Sequence, residues 1–461
     1  MIYRIIFTVV ILTGISASCQ YGEEIISSQP GLELQYSEDT ISFDTVFTIS
    51  GSITKRLMIL NPNNNAIQID RIYLGGGTQS EYSIIVAGDE KPEVNGQLIY
   101  GEDSLLVLVR VSIDPNDDQL PFIVRDSILF SYNERLDHIK LRSWGQNARY
   151  IGDQVISEDQ IWTSEIPYFL TGSIVVDSLK TLTIREGVRV YVSNQASIFV
   201  KGSLVTEGSS DGRVVFRNER LEDDYENIPG QWGGIFFLEG SRDNRIDFTD
   251  IRNSQYGLRI GTPDPDTIPD VIIRNTRIEN TSIGGIVAFT SDLWVENSLI
   301  DISAGYTLAN LAGGNYHYIH CTFANYALGF SRLGPSVIFS NNLLLDDNTL
   351  LDEPLHVEFL HSILWGDLKE EILIEDGGNT DFLIQTGNSI FKTSLTNFKG
   401  GSSYISTDTD YMIFKDIKNY DYMPDTLAPA IDHAGMSGMK FDLFGQARDS
   451  IPDIGAIEFL K

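Results

Sequence analysis

Residues 173–200 read SIVVDSLKTLTIREGVRVYVSNQASIFV, a run of short apolar segments separated by glycine, asparagine, aspartate and serine. Each apolar segment has the length and the β-branched composition of a short strand. Strands this short and this frequent do not suit the sheets of a sandwich. They predict a coil in which each strand pairs with its counterpart one turn further along the chain.

An internal repeat continues this pattern towards the C-terminus. A glycine followed by an apolar residue recurs at intervals of 23, 28, 20 and 24 residues, at Gly234, Gly257, Gly285, Gly305 and Gly329. A short polar residue precedes four of these glycines: Asn253, Asn280, Ser303 and Asn325. This period predicts a right-handed parallel β-helix with rungs about 4.8 Å apart. Stacked Asn and Ser side chains would bridge the rungs, and 165–420 has room for roughly ten of them.

The N-terminal part has a different pattern, with longer alternating runs broken by turn residues. Seven strands are predicted, over 41–47, 55–61, 66–74, 82–86, 104–113, 126–132 and 138–144. Strands of this number and spacing favour a β-sandwich of about 100 residues. The chain is therefore predicted to be all-β, with an immunoglobulin-like β-sandwich over 34–148, a β-helix over 149–425 and a capping segment over 426–461.

The first residues have the pattern of a lipoprotein signal peptide. The charged start MIYR, an apolar run over 5–15 and the small residues SAS at 16–18 precede Cys19. The apolar run is too short to span a bilayer, and small residues before a cysteine resemble the lipobox of bacterial lipoproteins. We therefore predict removal of residues 1–18, lipid attachment at Cys19, and a polar tether over 19–33. The expected location is the cell envelope, at the surface or the periplasmic face of the outer membrane.

Composition excludes several classes of partner and of stabilising device. The 461 residues include 64 Asp and Glu against 33 Lys and Arg, for a net charge of −31. This charge would repel the phosphates of nucleic acid. The 2 cysteines cannot form a disulfide framework. After lipidation of Cys19, Cys321 has no partner, and its strand-like surroundings predict a buried free thiol.

Three groups of short motifs resemble segments of known protein families. The words LTIREGV at 182–188, VKGSL at 200–204 and QWGGI at 231–235 resemble the opening rungs of pectate-lyase-like β-helix proteins. The words APAIDHAG at 428–435, DLFGQAR at 442–448 and DIGAIE at 453–458 resemble the choice-of-anchor Q domain. In the N-terminal part, FDTV at 43–46, LNP at 60–62 and VSIDP at 111–115 resemble modules of the Hydin and DUF1573 type.

These resemblances imply a secreted, envelope-bound protein whose first module is a spacer or binding unit. Polysaccharide lyases on the β-helix fold combine a Ca²⁺ site with an Arg or Lys base that acts on a uronate. Candidates for such a site fall on neighbouring predicted rungs: Arg252, Arg274, Arg277, Asp247 and Asp250. The alternative, which we favour, is that these charges are solvated faces of strands and turns.

Two insertions are long enough to line a groove, at 221–227 and 262–267. In the first, acidic groups beside Tyr225 and Trp232 could hold a neutral sugar by stacking and hydrogen bonding, or Ca²⁺ through oxygen ligands. The favoured alternative places Trp232 inside a rung. No metal site is predicted with certainty from these residues.

The histidine and carboxylate motifs of this sequence give little evidence for a catalytic or metal site. His317 and His320, three apart on a strand, point to opposite faces, and the same holds for His356 and His361. The words NTD at 379–381 and DD at 346–347 stand in the wrong order for polygalacturonase-like enzymes.

The main interpretation is therefore a lipid-anchored β-helix protein with a non-catalytic binding or structural role towards glycans. The rival is a polysaccharide-active enzyme, a lyase rather than a glycoside hydrolase. Convergence of three or four charged residues from adjacent rungs in one groove would favour the enzyme.

Overall fold

The computed structural model describes residues 26–459 apart from 49–50, 116–120, 262–267, 327–328, 333, 345–348, 397, 402 and 409. The chain divides into two compact units between Asn147 and Ala148. Within the described residues, regular structure is β-strand apart from three 3-10 helices, Gly77–Gln79, Asp223–Tyr225 and Ile417–Asn419. The all-β prediction is thus confirmed. No helix among these residues is long and apolar enough to cross a membrane.

The first unit is a β-sandwich of two five-stranded sheets. One sheet contains, in spatial order, Gln35–Tyr36, Lys55–Leu60, Ser104–Val111, Tyr82–Val86 and Asp89–Glu90. The other contains Thr40–Phe47, Arg135–Gln146, Phe122–Tyr132, Ile67–Leu74 and Glu93–Ile99. Strand pairing is antiparallel except between Arg135–Gln146 and Thr40–Phe47. Inward residues of both sheets, such as Ile69, Val109 and Phe130, form one fully buried core.

All seven strands predicted for this unit are present. The sequence did not predict Glu93–Ile99, which pairs with Ile67–Leu74 at the edge of its sheet. Asn95 and Gly96 interrupt its apolar alternation, and Gly96 has a φ of 69°, which glycine tolerates best. An edge strand has only one pairing neighbour, so its pattern is weaker than that of a central strand.

The second unit is a parallel β-helix with three strand columns. The first column contains Gln154–Ile156, Ile174–Val176, Ser197–Val200, Gly234–Phe237, Tyr256–Gly261, the first parts of Gly284–Glu296 and Tyr306–Ile319, Val337–Ser340 and Ile372–Glu375. The second contains Gln160–Trp162, Thr181–Arg185, Ser203–Glu207, Asn244–Asp247, Val271–Arg274, the second parts of Gly284–Glu296 and Tyr306–Ile319, Leu355–Leu360, Phe382–Gly387 and Lys399–Gly400.

The third column contains Arg149–Ile151, Tyr168–Leu170, Arg189–Val192, Val214–Asn218, Thr249–Arg252, Arg277–Thr281, Leu299–Ser303, Thr322–Asn325, Ile363–Gly366, Ile390–Lys392 and Tyr404–Ser406. Two antiparallel hairpins lie outside the columns, Asn342–Leu344 with Leu350–Asp352 and Phe414–Asp416 with Asp421–Pro424. Inward side chains stack in register from rung to rung, as in Leu258, Ile286 and Leu308, and are fully buried. Removing this apolar surface from water is the main term stabilising the coil.

Polar ladders join the rungs where the second column turns into the third. Six residues in equivalent positions share a positive φ of 44 to 53°: Phe248, Asn275, Asn297, His320, His361 and Asn388. At three of them the hydroxyl of the next residue accepts a backbone N–H from the rung before it: Ser298 Oγ from Thr276, Ser362 Oγ from Cys321 and Ser389 Oγ from Ser362, each at 3.1 Å. Cys321 occupies one of these positions, is fully buried, and its pKa is raised by burial to about 12.

The predicted Asn and Ser stack is present only in part. Asn325 bridges rungs by accepting from Ser303 N at 3.0 Å and donating to Ser303 O at 3.0 Å. Asn253 instead donates to the carbonyls of Glu226 and Ile228, in an insertion of the rung before it. The ladder that runs through most rungs lies at another corner, between the second and third columns. The sequence did not predict it, because varying loop lengths hide its period.

The C-terminal segment lies along the side of the coil, whereas the sequence analysis placed it over the last rung as a cap. We call the described residues 426–459 the C-terminal strap. It packs on the outer face of the third column, where Leu299, Ile363 and Trp365 share a buried cluster with strap residues Leu443 and Ala456. These outward apolar residues must be covered, which draws the strap to the side.

Candidate functional site

A cleft opens on the outer face of the third column where the strap does not reach. One wall is the insertion over 219–231, and the other is the Tyr420 hairpin, formed by Phe414–Asp416 and Asp421–Pro424. The cavity between them has a volume of about 280 Å³. Its lining residues are Glu226, Asn227, Arg252, Arg277, Glu279, Asn280, Ile302, Asn419 and Tyr420. We call this site the third-column cleft.

Buried amide side chains hold the insertion in place. Gln231 Nε2 donates to the carbonyls of Tyr225 at 2.9 Å and Ile228 at 3.0 Å, inside the loop. Asn253 Nδ2 ties the carbonyls of Glu226 and Ile228 to the coil at 2.8 and 3.0 Å. The insertion is therefore a fixed wall, whose backbone groups are satisfied by the rungs beneath it.

The opposite wall carries a strained residue. Asp416 accepts from the backbone N–H groups of Lys418 and Asn419 and from Asn419 Nδ2, which tightens the turn of the Tyr420 hairpin. Tyr420 follows this turn with a φ of 59°. Bulky residues rarely adopt this region, and such strain concentrates at functional sites.

Charged residues of three adjacent rungs form the floor. Arg252, Glu279 and Asp301 are paired in register on the outer face of the column. Glu279 binds two guanidiniums, through Arg252 Nε at 2.6 Å and Arg277 Nη2 at 2.6 Å. Arg277 Nη2 also lies 3.7 Å from Asp301 Oδ2. Four charged residues therefore converge, as the enzyme interpretation required.

Burial acts in opposite directions on the pKa values of two of these groups. Burial raises the pKa of Asp301 to about 7, and the Arg277 guanidinium opposes this shift without cancelling it. Burial also works against the charge of Arg277, but the Asp301 and Glu279 carboxylates outweigh it and raise the pKa of Arg277. The Asp301 side chain is 0% exposed. It is therefore held protonated or paired under the floor, out of reach of a ligand.

Several buried polar atoms around the cleft have no hydrogen-bond partner among the described residues: Arg217 Nε, Asn253 Oδ1, Arg277 Nε and Asn280 Oδ1. Most buried polar atoms in folded proteins are paired, so a group of unpaired ones needs an explanation, such as water or a ligand. Arg217 precedes Arg252 in the same outward row, and burial lowers its pKa. Asn280 Nδ2 lies 3.5 Å from Asn227 Oδ1, which leaves its own carbonyl oxygen free to accept.

The structure separates the five charged candidates of the sequence analysis. Only Arg252 and Arg277 line the cleft. Asp250 binds Arg213 Nε at 2.8 Å, and the same guanidinium reaches Leu443 O of the strap. The other two, Asp247 and Arg274, lie on the second column, where Asp247 pairs with Arg245 at 2.9 Å and Arg274 with Glu296 at 2.8 Å.

The two aromatic candidates also have different positions. Trp232 is fully buried, and its indole Nε1 donates to Arg252 O at 2.7 Å, so its ring is not available to stack on a sugar. Tyr225 is half-buried under the Arg220 guanidinium, 4.0 Å from its ring centre. It lines a second cavity of about 380 Å³ on the other side of the insertion.

Other predicted features lie outside the described residues, namely Cys19, the insertion over 262–267 and the DD word at 346–347. Within the part of the chain that the structure describes, no group of three or more His, Cys, Asp and Glu side chains is placed to hold a metal ion.

The sequence analysis did not single out Asp301, Asn280 or Tyr420 as site residues. Asn280 was placed in the structural repeat, and Asp301 follows an apolar run without a motif. Tyr420 is 119 positions beyond Asp301 in the sequence, and only the packing of its hairpin brings it to the cleft. Polar residues at alternate positions of two consecutive strands, Asp250 and Arg252 followed by Arg277 and Glu279, were the available signal.

Comparisons with known proteins add little. No family model matches the sequence, and no curated protein matches it. Two solved structures have weak similarity, a family 123 glycoside hydrolase from Clostridium perfringens (TM-score 0.19, 10% identity) and the Vibrio cholerae protease VesB (TM-score 0.17, 15% identity). They match 25% and 24% of this chain, which in turn covers only 26% and 31% of theirs. Similarity this low carries no argument about function.

Proposed function

We propose that this chain is a lipid-anchored cell-envelope protein whose β-helix binds a glycan, without catalysis, in the third-column cleft. Cys19 carries the lipid in this proposal, and the outer membrane is the expected location. The observation that supports the glycan is the lining of the cleft, which combines amide groups, a tyrosine and unpaired buried polar atoms.

The chemistry of this lining suits sugar hydroxyls. Asn227, Asn280 and Asn419 offer both donors and acceptors, which a hydroxyl can match in either role. Tyr420 offers an aromatic face with a polar end. A small number of placed polar groups around a preformed cleft is the usual pattern of a ligand site.

The lyase interpretation loses its base in this geometry. A base must be free to contact the substrate, and the guanidiniums of Arg252 and Arg277 are both paired with Glu279 at 2.6 Å. A glycoside hydrolase remains the second candidate, because Asp301, with its raised pKa, and Glu279 are two carboxyl groups paired in register on adjacent rungs. Binding is favoured because the Asp301 side chain is 0% exposed and Glu279 is 7% exposed.

The test incubates the purified mature chain with neutral and uronate polysaccharides, with and without Ca²⁺. Affinity electrophoresis measures binding, while reducing ends and the absorbance of unsaturated products measure turnover. We expect retarded migration on at least one glycan and no turnover. Product formation lost in Glu279→Gln would instead establish the hydrolase.

A pair of variants assigns binding to the cleft. Tyr420→Gly removes the aromatic face and relieves the positive φ, so the fold is retained. Tyr404→Ala removes a tyrosine that is 38% exposed on the last rung, outside the cleft. We expect at least a tenfold loss of affinity for the first variant and none for the second. Equal affinity of both would reject the cleft as the site.

The anchor needs its own experiment. Cells grown with a radiolabelled fatty acid should label the wild-type chain and not Cys19→Ala, and only the wild type should sediment with outer membranes. Labelling of the variant, or a wild type found wholly in the medium, would contradict lipid attachment at Cys19.

A further inference from the structure

One tryptophan of the β-helix differs from the others in exposure. Trp162, Trp232 and Trp365 are 3%, 0% and 1% exposed and pack inside the unit. Trp294 instead projects from the outer face of the second column and is partly exposed. Packing in the core of the unit does not account for the position of this side chain on the outside of the sheet.

Neighbouring rungs hold this indole in a defined position. Its Nε1 donates to Glu296 Oε1 at 2.6 Å, and Glu296 Oε2 accepts from Arg274 Nε at 2.8 Å. On the next rung, His317 pairs in register with Trp294, and the two ring centres are 4.8 Å apart. The indole therefore has little rotational freedom to lose when a ligand covers it.

The row continues with a carboxylate. Glu358 pairs in register with His317, and its Oε2 lies 2.9 Å from His317 Nδ1. In the neutral ring this contact makes Nδ1 the donor and leaves Nε2 as an acceptor. His317 and Glu358 are 38% and 33% exposed, so both can reach a bound molecule. We call Trp294, His317 and Glu358 the aromatic row.

The geometry points to the aromatic row as a second saccharide-binding surface, which takes an extended glycan lying along the coil axis. An indole face stacks on the C–H face of a pyranose, while the imidazole and carboxylate bind its hydroxyls. Rungs about 4.8 Å apart match the length of one sugar residue in an extended chain, so consecutive rungs meet consecutive sugars. This inference rests on the proposed glycan-binding function and adds a surface on a different column from the cleft.

Intrinsic fluorescence tests the row directly, because a sugar stacked on Trp294 changes its emission. The matched variants are Trp294→Phe in the row, Trp144→Phe in the sandwich, and Tyr420→Gly in the cleft. Each folded variant is titrated with the neutral and uronate polysaccharides and compared with the wild type. His317→Gln adds a variant that keeps the indole and changes its neighbour.

We expect a saturable change in emission in the wild type, in Trp144→Phe and in Tyr420→Gly, and none in Trp294→Phe. His317→Gln should keep the change with an affinity at least fivefold lower. A change that persists in Trp294→Phe, or no change with any glycan, would overturn the inference. Loss of the change in Tyr420→Gly alone would also overturn it, because the signal would then come from the cleft.

The cleft proposal and the aromatic-row proposal can be rejected independently of each other. If the cleft variant loses retardation in affinity electrophoresis while the Trp294 signal survives, the row stands and both sites bind. If Trp294→Phe alone loses all binding, the row is the glycan site and the cleft proposal is rejected. Binding of an unrelated protein at Trp294 that glycans do not displace would overturn the assignment of the row to saccharides.

Discussion

The two halves of the third column have the same backbone and opposite outer faces. Towards the N-terminus the outward row contains Arg252, Glu279 and Asp301, and the face forms an open cleft. Towards the C-terminus the same row continues with Ala324 and Trp365, which lie in a buried cluster with residues of the Tyr420 hairpin and of the strap. The strand pairing is parallel and in register throughout, so side chains alone determine whether the face binds water or protein.

Within this one sheet, apolar outward residues stabilise the fold, whereas charged outward residues form the candidate site. Apolar outward residues gain free energy by being covered, at about 25 cal/mol per Å² of apolar surface buried. Charged outward residues would lose hydration under a cover unless each were paired. A repetitive scaffold can therefore place a site wherever the outward row changes from apolar to polar.

The largest expected effect breaks the covered half. Trp365→Ala removes an outward side chain that is 1% exposed, belongs to the buried apolar cluster on this face and has the rings of Tyr404 and Tyr411 beside it. We expect the free energy of unfolding to fall by about 3–5 kcal/mol in urea denaturation. The control Trp294→Ala truncates a partly exposed indole and should cost less than half as much. Equal losses would mean that this cluster does not cover Trp365 in solution.

The second effect compares one arginine from each half. Arg448 and Glu458 of the strap are 1% and 5% exposed in their side chains and lie 3.0 Å apart. Arg448→Met leaves the Glu458 carboxylate buried without its partner and should cost about 3 kcal/mol. Arg252→Met in the cleft should cost about 1 kcal/mol, because Glu279 keeps Arg277. The double variant Arg448→Met with Glu458→Gln removes the unpaired charge and keeps an oxygen that can accept from Asp453 N. It should recover part of the loss, and no recovery at all would contradict the pairing.

The third effect is a loss of stability at low pH through His320, which contacts the strap. Burial lowers the pKa of His320 to about 2, with the Arg448 charge as the next cause, and His320 Nε2 lies 2.8 Å from Ser437 Oγ of the strap. The unfolded chain binds this proton near pH 6.5, so stability is complete above that pH and is lost as the pH falls below it. The contribution of His320 to stability should be smaller by about 1–2 kcal/mol at pH 5 than at neutral pH.

His320→Asn is the matched variant for this effect. Asparagine already occupies equivalent left-handed positions at Asn275 and Asn297 and tolerates them well. Relative to the wild type, the stability lost on going from pH 8 to pH 5 should therefore be smaller by about 1–2 kcal/mol in this variant, because its other titrating groups are unchanged. An unchanged difference would exclude His320 as the source of acid sensitivity.

The smallest expected effect concerns Asp301 in the open half of the column, where stability changes with pH in the direction opposite to that of His320. The pKa of Asp301 is raised from 3.8 to about 7, so the folded chain binds more protons than the unfolded chain in that range. Its contribution is complete below pH 3.8 and is lost as the pH rises towards 7. Asp301→Asn removes this slope while changing stability at neutral pH by only about 1 kcal/mol, because the pairing with Arg277 is lost as well. An unchanged slope would mean that Asp301 is ionised throughout.

Much of the fold was predictable from particular residues. The short segments at 174–176 and 197–200 became strands paired in register, and the described strands make nine rungs with a strand in every column, against roughly ten predicted. Of the candidate site, Arg252 and Arg277 were predicted on neighbouring rungs. Their contact with Glu279 was not, because loop lengths vary and register across rungs depends on pairing.

By itself, the sequence determined the all-β class, the sandwich and the coil, because strand periodicity and turn residues act over a few neighbouring positions. It also determined that Cys321 is buried, through its apolar surroundings. Only the tertiary structure decided that Tyr420 faces Arg252 across a cleft, that the strap lies along the side of the coil, and that Trp294 stays outside. The cleft and the strap join residues that are far apart in the sequence, and the energies of these contacts depend on which outward side chains end up beside each other.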